Sequence, residues 1–241
     1  MSTGLRVFAA TVLAILVHTI AASAQTSEQI TGPLATRIKY QERIDSLTEP
    51  SPTYRLSKGD NEFGFWGGVS FKATTIFGGL TDAEASDRKF VLAAFRYGRT
   101  LAANDSLALQ YTLDAIPLAL ATGNIVSSTS SFGVTTFVRE TAYGAGLTPL
   151  GLQLDFSNGS RVHPFVHVNG GGLIFNKSVP LPDAGRFAFV GETGGGLRIF
   201  TSERRAWSLG LRFHHISNGD RTGSNRGLNQ FVFYAGYSVF R

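Results

Sequence analysis

From Asn61 onward, apolar and polar positions alternate along the chain with a period of two. Phe63, Phe65, Gly67, Val69 and Phe71 fall on one side, and Glu62, Gly64, Ser70 and Lys72 on the other. Such alternation marks a strand with one apolar and one polar face. It recurs around 91–97, 107–113, 150–156, 162–168, 187–199, 207–213 and 231–239. These segments predict an all-β fold of eight strands.

Periodicity does not say which face is inside. A soluble β-sandwich or lipocalin-like barrel would bury the apolar face, whereas an outer-membrane barrel turns it to lipid and packs the polar face into the lumen. The connections separate the two. Those at 103–105, 157–159 and 201–205 are short, while 74–87, 117–139, 174–185 and 218–228 are long. Strict alternation gathers all the long loops at one end, as in an outer-membrane barrel with short inner turns. The expected fold is therefore an eight-stranded antiparallel transmembrane β-barrel over 61–241. Pro164, on the fifth segment, is a local cost because it donates no ladder hydrogen bond.

Composition agrees with strands and tight turns: the chain carries 28 Gly, 19 Phe and 7 Tyr with a single Met. Near the start, Arg6 precedes an apolar stretch over 7–22 that ends in Ala22-Ser23-Ala24. That pattern predicts a signal peptide over 1–24, with an uncleaved anchor as the alternative. Residues 25–60 form a polar extension with Pro33, Pro50 and Pro52, its middle (34–47) either a short helix or without structure. After the leader no apolar run approaches the roughly 20 residues of a spanning helix. The net charge of +5 is spread without a basic run, which argues against a nucleic-acid partner and suits anionic lipid weakly. With no cysteine, disulfides, thiolate metal sites and cysteine nucleophiles are excluded.

Several motifs carry little. His163 and His167 stand about 13 Å apart on a strand, too far to share a metal. His214 and His215 are adjacent and point to opposite faces. Gly191, Gly194, Gly195 and Gly196 precede no helix, so a phosphate loop is not indicated. No metal or cofactor is called for. His215 and Ser217 differ. They continue the apolar face of Trp207, Leu209, Leu211 and Phe213, with Cα atoms about 6.5–7 Å apart, within hydrogen-bonding reach. On spacing alone, a strand end turning polar at the lipid headgroups explains the pair equally well.

His215-Ile216-Ser217-Asn218, followed by Asn225 and Gly227-Leu228 before a terminal strand, resembles the signature of the PagL-type lipid A 3-O-deacylases. These are eight-stranded outer-membrane barrels that hydrolyse the acyl ester at the 3 position of lipid A. The motif covers about 212–241 and the strand plan extends it over 61–241. The resemblance implies Ser217 as nucleophile, His215 as general base, and an oxyanion-stabilising role for Asn218 and Asn225. It also implies lipid A of outer-leaflet lipopolysaccharide as the partner and the bacterial outer membrane as the location. Where the family carries its triad glutamate this chain has Asn229, on the lipid side opposite His215. An amide orients an imidazole but does not stabilise the imidazolium as a carboxylate does. Slow hydrolysis, rescue by Asp220 from the loop, and a non-catalytic barrel that binds lipopolysaccharide or serves a structural role all remain consistent with the sequence.

Overall fold

A computed structural model describes residues 53–76, 79–223 and 225–241. The leader and the possible helix at 34–47 lie outside the described residues. Among the described residues nine strands and one short helix follow in order: β1 (Asn61–Ser70), β2 (Ala73–Thr74), α1 (Asp82–Ala85), β3 (Lys89–Ala103), β4 (Leu107–Thr129), β5 (Thr135–Phe156), β6 (Val162–Phe175), β7 (Phe187–Ser202), β8 (Arg205–Ser217) and β9 (Leu228–Phe240). The eight long strands pair antiparallel with their sequence neighbours, and β1 pairs with β9 from Glu62↔Phe240 to Val69↔Phe233, closing an eight-stranded barrel. Two-residue β2 extends the β1 edge along β9.

The apolar face is the outer one. Phe63, Phe65, Phe95, Leu152, Val168, Trp207, Leu209 and Phe233 are exposed, while Glu62, Arg96, Asp114, Asp155, Glu192, Arg198, Arg212 and His214 are buried. A soluble sandwich is excluded by that inversion. Removing charge from water is costly unless each ion is paired, and the lumen pairs them. Arg96 makes a bidentate contact with Asp114 at 2.7 and 2.8 Å. Arg198 donates to Glu62, Asp155 and Gln110 at 2.8–2.9 Å. Arg212 donates to Glu192 at 2.9 Å and stacks on Trp66. His163 and His167 are lumen residues, buried beside Phe200 and Phe165.

Apolar clusters cover this polar middle. At the short-turn end Leu56, Ala108, Phe200, Ala206 and Phe240 pack with Tyr54, so residues 53–60, polar by composition, lie against the barrel. At the long-loop end Leu80, Ala85, Val179, Leu181 and Ala184 from the connections join Phe90, Phe175, Ile216 and Leu228.

One expected loop is strand instead. Residues 117–139 are mostly β4 and β5, paired as far as Thr129↔Thr135. The 23 residues of β4 exceed the about 9–11 that a tilted strand needs to cross a bilayer, so this hairpin projects beyond it. Pro117 and Pro149 each sit within a register shift, Ile116/Ala119 and Leu147/Leu150. A bulge tolerates a residue without an N–H, and the strand continues past it.

Candidate active site

The outward face of β8 ends in Phe213, His215 and Ser217, all half-buried. The last four residues of the strand alternate in and out, so Ile216 is sealed in the core below the site. Across the hairpin, His215 pairs in register with Asn229 at the start of β9. The two side chains meet: His215 Nδ1 lies 2.5 Å from Asn229 Oδ1. A carboxamide oxygen only accepts, so Nδ1 carries a proton, and in the neutral imidazole the lone pair is on Nε2. The other end of the carboxamide, Nδ2, donates to the Ile76 carbonyl at 3.0 Å.

Ser217 shares the face of His215, and its strand partner is Phe189 on β7. Its Oγ makes no hydrogen bond among the described residues; Ser217 and His215 are on one face without a closed Oγ···Nε2 contact. Catalytic hydrogen bonds commonly tighten only when substrate is bound. The partner of His215 on β7 is Gly191, where an added Cβ would meet nothing within 4 Å. That side of the imidazole is open from the lipid-facing surface. Aromatic pairs flank the site, Phe187–Phe189 at 5.0 Å and Phe213–Phe231 at 5.5 Å.

The two asparagines expected at an oxyanion are placed differently. Asn218 is one residue past Ser217 and so points inward, where it is buried. Its Nδ2 donates to the Ala184 carbonyl at 2.9 Å and to Thr222 Oγ1 at 2.5 Å, and its Oδ1 accepts from the Asp220 N–H at 3.0 Å. These bonds tie together the β6–β7 and β8–β9 loops. Asn225 is exposed in the β8–β9 loop. Asp220 is exposed as well, with φ of 60°.

Sequence reasoning missed the residues that close over the pair. Gly227 lies against the imidazole, where an added Cβ would fall 2.5 Å from His215 Cε1. Its neighbour Arg226 donates to both carboxylate oxygens of Glu84 at 2.6 and 2.7 Å. Glu84 also closes the capping box of α1, accepting from Thr81 N–H at 2.9 Å and Thr81 Oγ1 at 2.8 Å. Burial opposes ionisation of Glu84, but the Thr81 hydrogen bonds and the Arg226 charge together outweigh it, holding the carboxyl below its usual range. The Thr81-Asp82-Ala83-Glu84 spacing was the one sequence signal for this element.

A closed eight-stranded barrel, apolar outside and charged inside, is an outer-membrane protein of the small-barrel class, located in the bacterial outer membrane. The family model described as Lipid A 3-O-deacylase (PagL) matches residues 99–238, a span that includes His215, Ser217 and Asn229. The chain belongs to that family. Among solved structures it is similar to the outer membrane enzyme PagL, at 14% identity over 75% of this chain and 98% of that one, TM-score 0.42. Neisserial surface protein A is 13% identical over 77% of this chain and 99% of that one, TM-score 0.42. The N-terminal β-barrel domain of OprF from Pseudomonas aeruginosa is 13% identical over 77% and 100%, TM-score 0.41. No curated protein sequence matches the chain.

Proposed function

We propose that the protein is a serine esterase that removes the 3-O-linked acyl chain from lipid A in the outer leaflet. The observation that carries this reading is the contact between half-buried His215 and buried Asn229 on the outward side of β8 and β9, with Ser217 two residues along from His215. His215 Nε2 accepts the Ser217 proton as Oγ adds to the ester carbonyl. The exposed Asn225 amide is the side chain free to turn toward the oxyanion; Asn218 orders the loops. Collapse of the tetrahedral adduct expels the sugar 3-hydroxyl, protonated by His215, and leaves an acyl-serine. Water, deprotonated by the same imidazole, then releases the fatty acid and restores Ser217. An acyl ester in the outer leaflet reaches this surface without leaving the bilayer, which gives polar reactive groups a reason to sit on a greasy face.

The test is mass spectrometry of lipid A from cells with and without the expressed protein. The expected result is a new lipid A species lighter by one 3-O acyl chain. An unchanged pattern with a folded, inserted barrel would overturn the enzyme reading. It would leave the second reading, a lipopolysaccharide-binding or structural barrel, which the open Ser217–His215 contact and the amide at position 229 favour.

Asn229→Asp separates two effects. A carboxylate would stabilise the imidazolium; the reverse change, acid to amide, costs about 10⁴ in turnover in a serine protease. Against this, the second carboxylate oxygen would face the Ile76 carbonyl, and a lost, unsatisfied hydrogen bond costs about 1–3 kcal/mol, roughly 10–100-fold. The gain is larger, so kcat for fatty-acid release should rise by roughly 100–1,000-fold. A flat or falling kcat would mean that the Ile76 bond matters more than the charge.

A further inference from the structure

The segment joining β2 to β3 touches the β8–β9 loop at three successive points. The Ile76 carbonyl accepts from Asn229 Nδ2. Gly79, at φ +99°, leaves no room for a Cβ beside the Gly227 carbonyl. Glu84 takes both oxygens to Arg226. Around these contacts the segment is braced by its own bonds: Thr74 Oγ1 accepts from Ile76 N–H at 3.2 Å, and Thr75 Oγ1 donates to Asp82 Oδ1 at 3.3 Å. Buried Arg88 donates to the Glu84 carbonyl at 2.8 Å and to the Pro180 carbonyl at 2.5 Å, carrying the brace to the β6–β7 loop.

The polarity of this chain of groups is fixed from its far end. A backbone carbonyl only accepts, so Ile76 dictates that Nδ2, and not Oδ1, of Asn229 faces it. Oδ1 is thereby turned to His215, where it accepts from Nδ1–H. The lone pair then stands on Nε2, the nitrogen a serine nucleophile needs. The Ile76 carbonyl thus opposes the rotated carboxamide, which would present Nδ2 to His215 and select the opposite tautomer. A glutamate needs no such director, since both its oxygens accept; an asparagine does.

We infer that the Glu84–Arg226 ion pair is a positioning clamp for the His215 imidazole, holding the Ile76 carbonyl and Asn229 in register so that an amide does the orienting work of a triad carboxylate. The inference rests on the esterase reading of His215 and Ser217. Neither Glu84 nor Arg226 touches the reacting atoms in this scheme; both act through Ile76, Gly227 and Asn229.

The test uses the full-length protein in detergent micelles with purified lipopolysaccharide, following fatty-acid release and, in parallel, the ¹H–¹⁵N signal of the hydrogen-bonded His215 Nδ1 proton, assigned by its loss in His215→Gln. Glu84→Gln keeps the capping box and removes the charge. Arg226→Gln removes the other partner, and Arg226→Lys keeps the charge. Both glutamine variants should lose the Nδ1 proton signal and roughly tenfold in kcat with KM unchanged, the scale of a small misplacement of a catalytic group. Arg226→Lys should retain the signal and most of the rate. Wild-type kcat and an intact signal in both glutamine variants, with Ser217→Ala inactive, would overturn the clamp and leave the esterase standing. If the wild type itself releases nothing beyond Ser217→Ala, the esterase reading fails, and the Nδ1 signal alone decides the clamp: its persistence in Glu84→Gln overturns it.

Discussion

Replacing Ser217 with alanine is expected to abolish deacylation while leaving the barrel intact. The stability side is small. Ser217 closes β8, is half-buried, and its Oγ makes no hydrogen bond among the described residues, so a hydroxyl is lost without orphaning a partner. Substitutions of that kind usually fall within about 0.5 kcal/mol. The chemical side is large under the proposed mechanism, in which Ser217 Oγ is the attacking atom. Removing the serine of a serine triad alone costs about as much as removing all three members, and fatty-acid release should fall by at least roughly a thousandfold. The checks are release of fatty acid from lipopolysaccharide and heat-modifiable migration of the folded barrel. Full activity in a folded Ser217→Ala protein would show that the hydrolysis comes from elsewhere.

Strand parity, which puts Ser217 on the lipid side, decided what was legible in the sequence and what was not. Each predicted period-two segment falls on one long strand, the first running past the end of β1 by Phe71 and Lys72, because side-chain direction in a strand depends only on odd or even position. His215, Ser217 and Asn229 were therefore assigned to the outer face from the chain alone. Asn218 was assigned by motif, although its even position sends it inward; there its amide holds Ala184 and Thr222. The projecting β4–β5 hairpin was unreadable for a different reason. Pro117 and Pro149 look like strand ends, and only the paired register shows them absorbed into bulges. Least legible were Ile76 and Glu84, whose contacts with Asn229 and Arg226 span 153 and 142 residues. No local pattern encodes such a contact. It exists because closure of β1 onto β9 brings the first long connection beside the last.

Closure also explains why the lumen tolerates so much charge, and it sets the largest stability effect in the molecule. Arg198 is 1% exposed and stands between Glu62 and Asp155, with Gln110 as a third acceptor and the Phe240 ring 5.1 Å from its guanidinium. These partners come from β1, β5, β4 and β9, while Arg198 itself is on β7. One guanidinium thus ties five strands across the lumen. Arg198→Ala would leave two buried carboxylates facing each other, still holding Ser238 and Gln153 as donors and with Arg96 as the nearby cation but no directly bonded one. Breaking a buried ion pair from one side costs about 3–5 kcal/mol, whereas removing both signs together is often neutral. The urea midpoint of the micelle-embedded barrel should therefore drop sharply in Arg198→Ala. Most of the loss should return when Arg198→Met is combined with Glu62→Gln and Asp155→Asn. If the single variant shifts the midpoint by less than the equivalent of about 1 kcal/mol, the lumen is wet enough to screen its charges, and the interior pairs set register rather than stability.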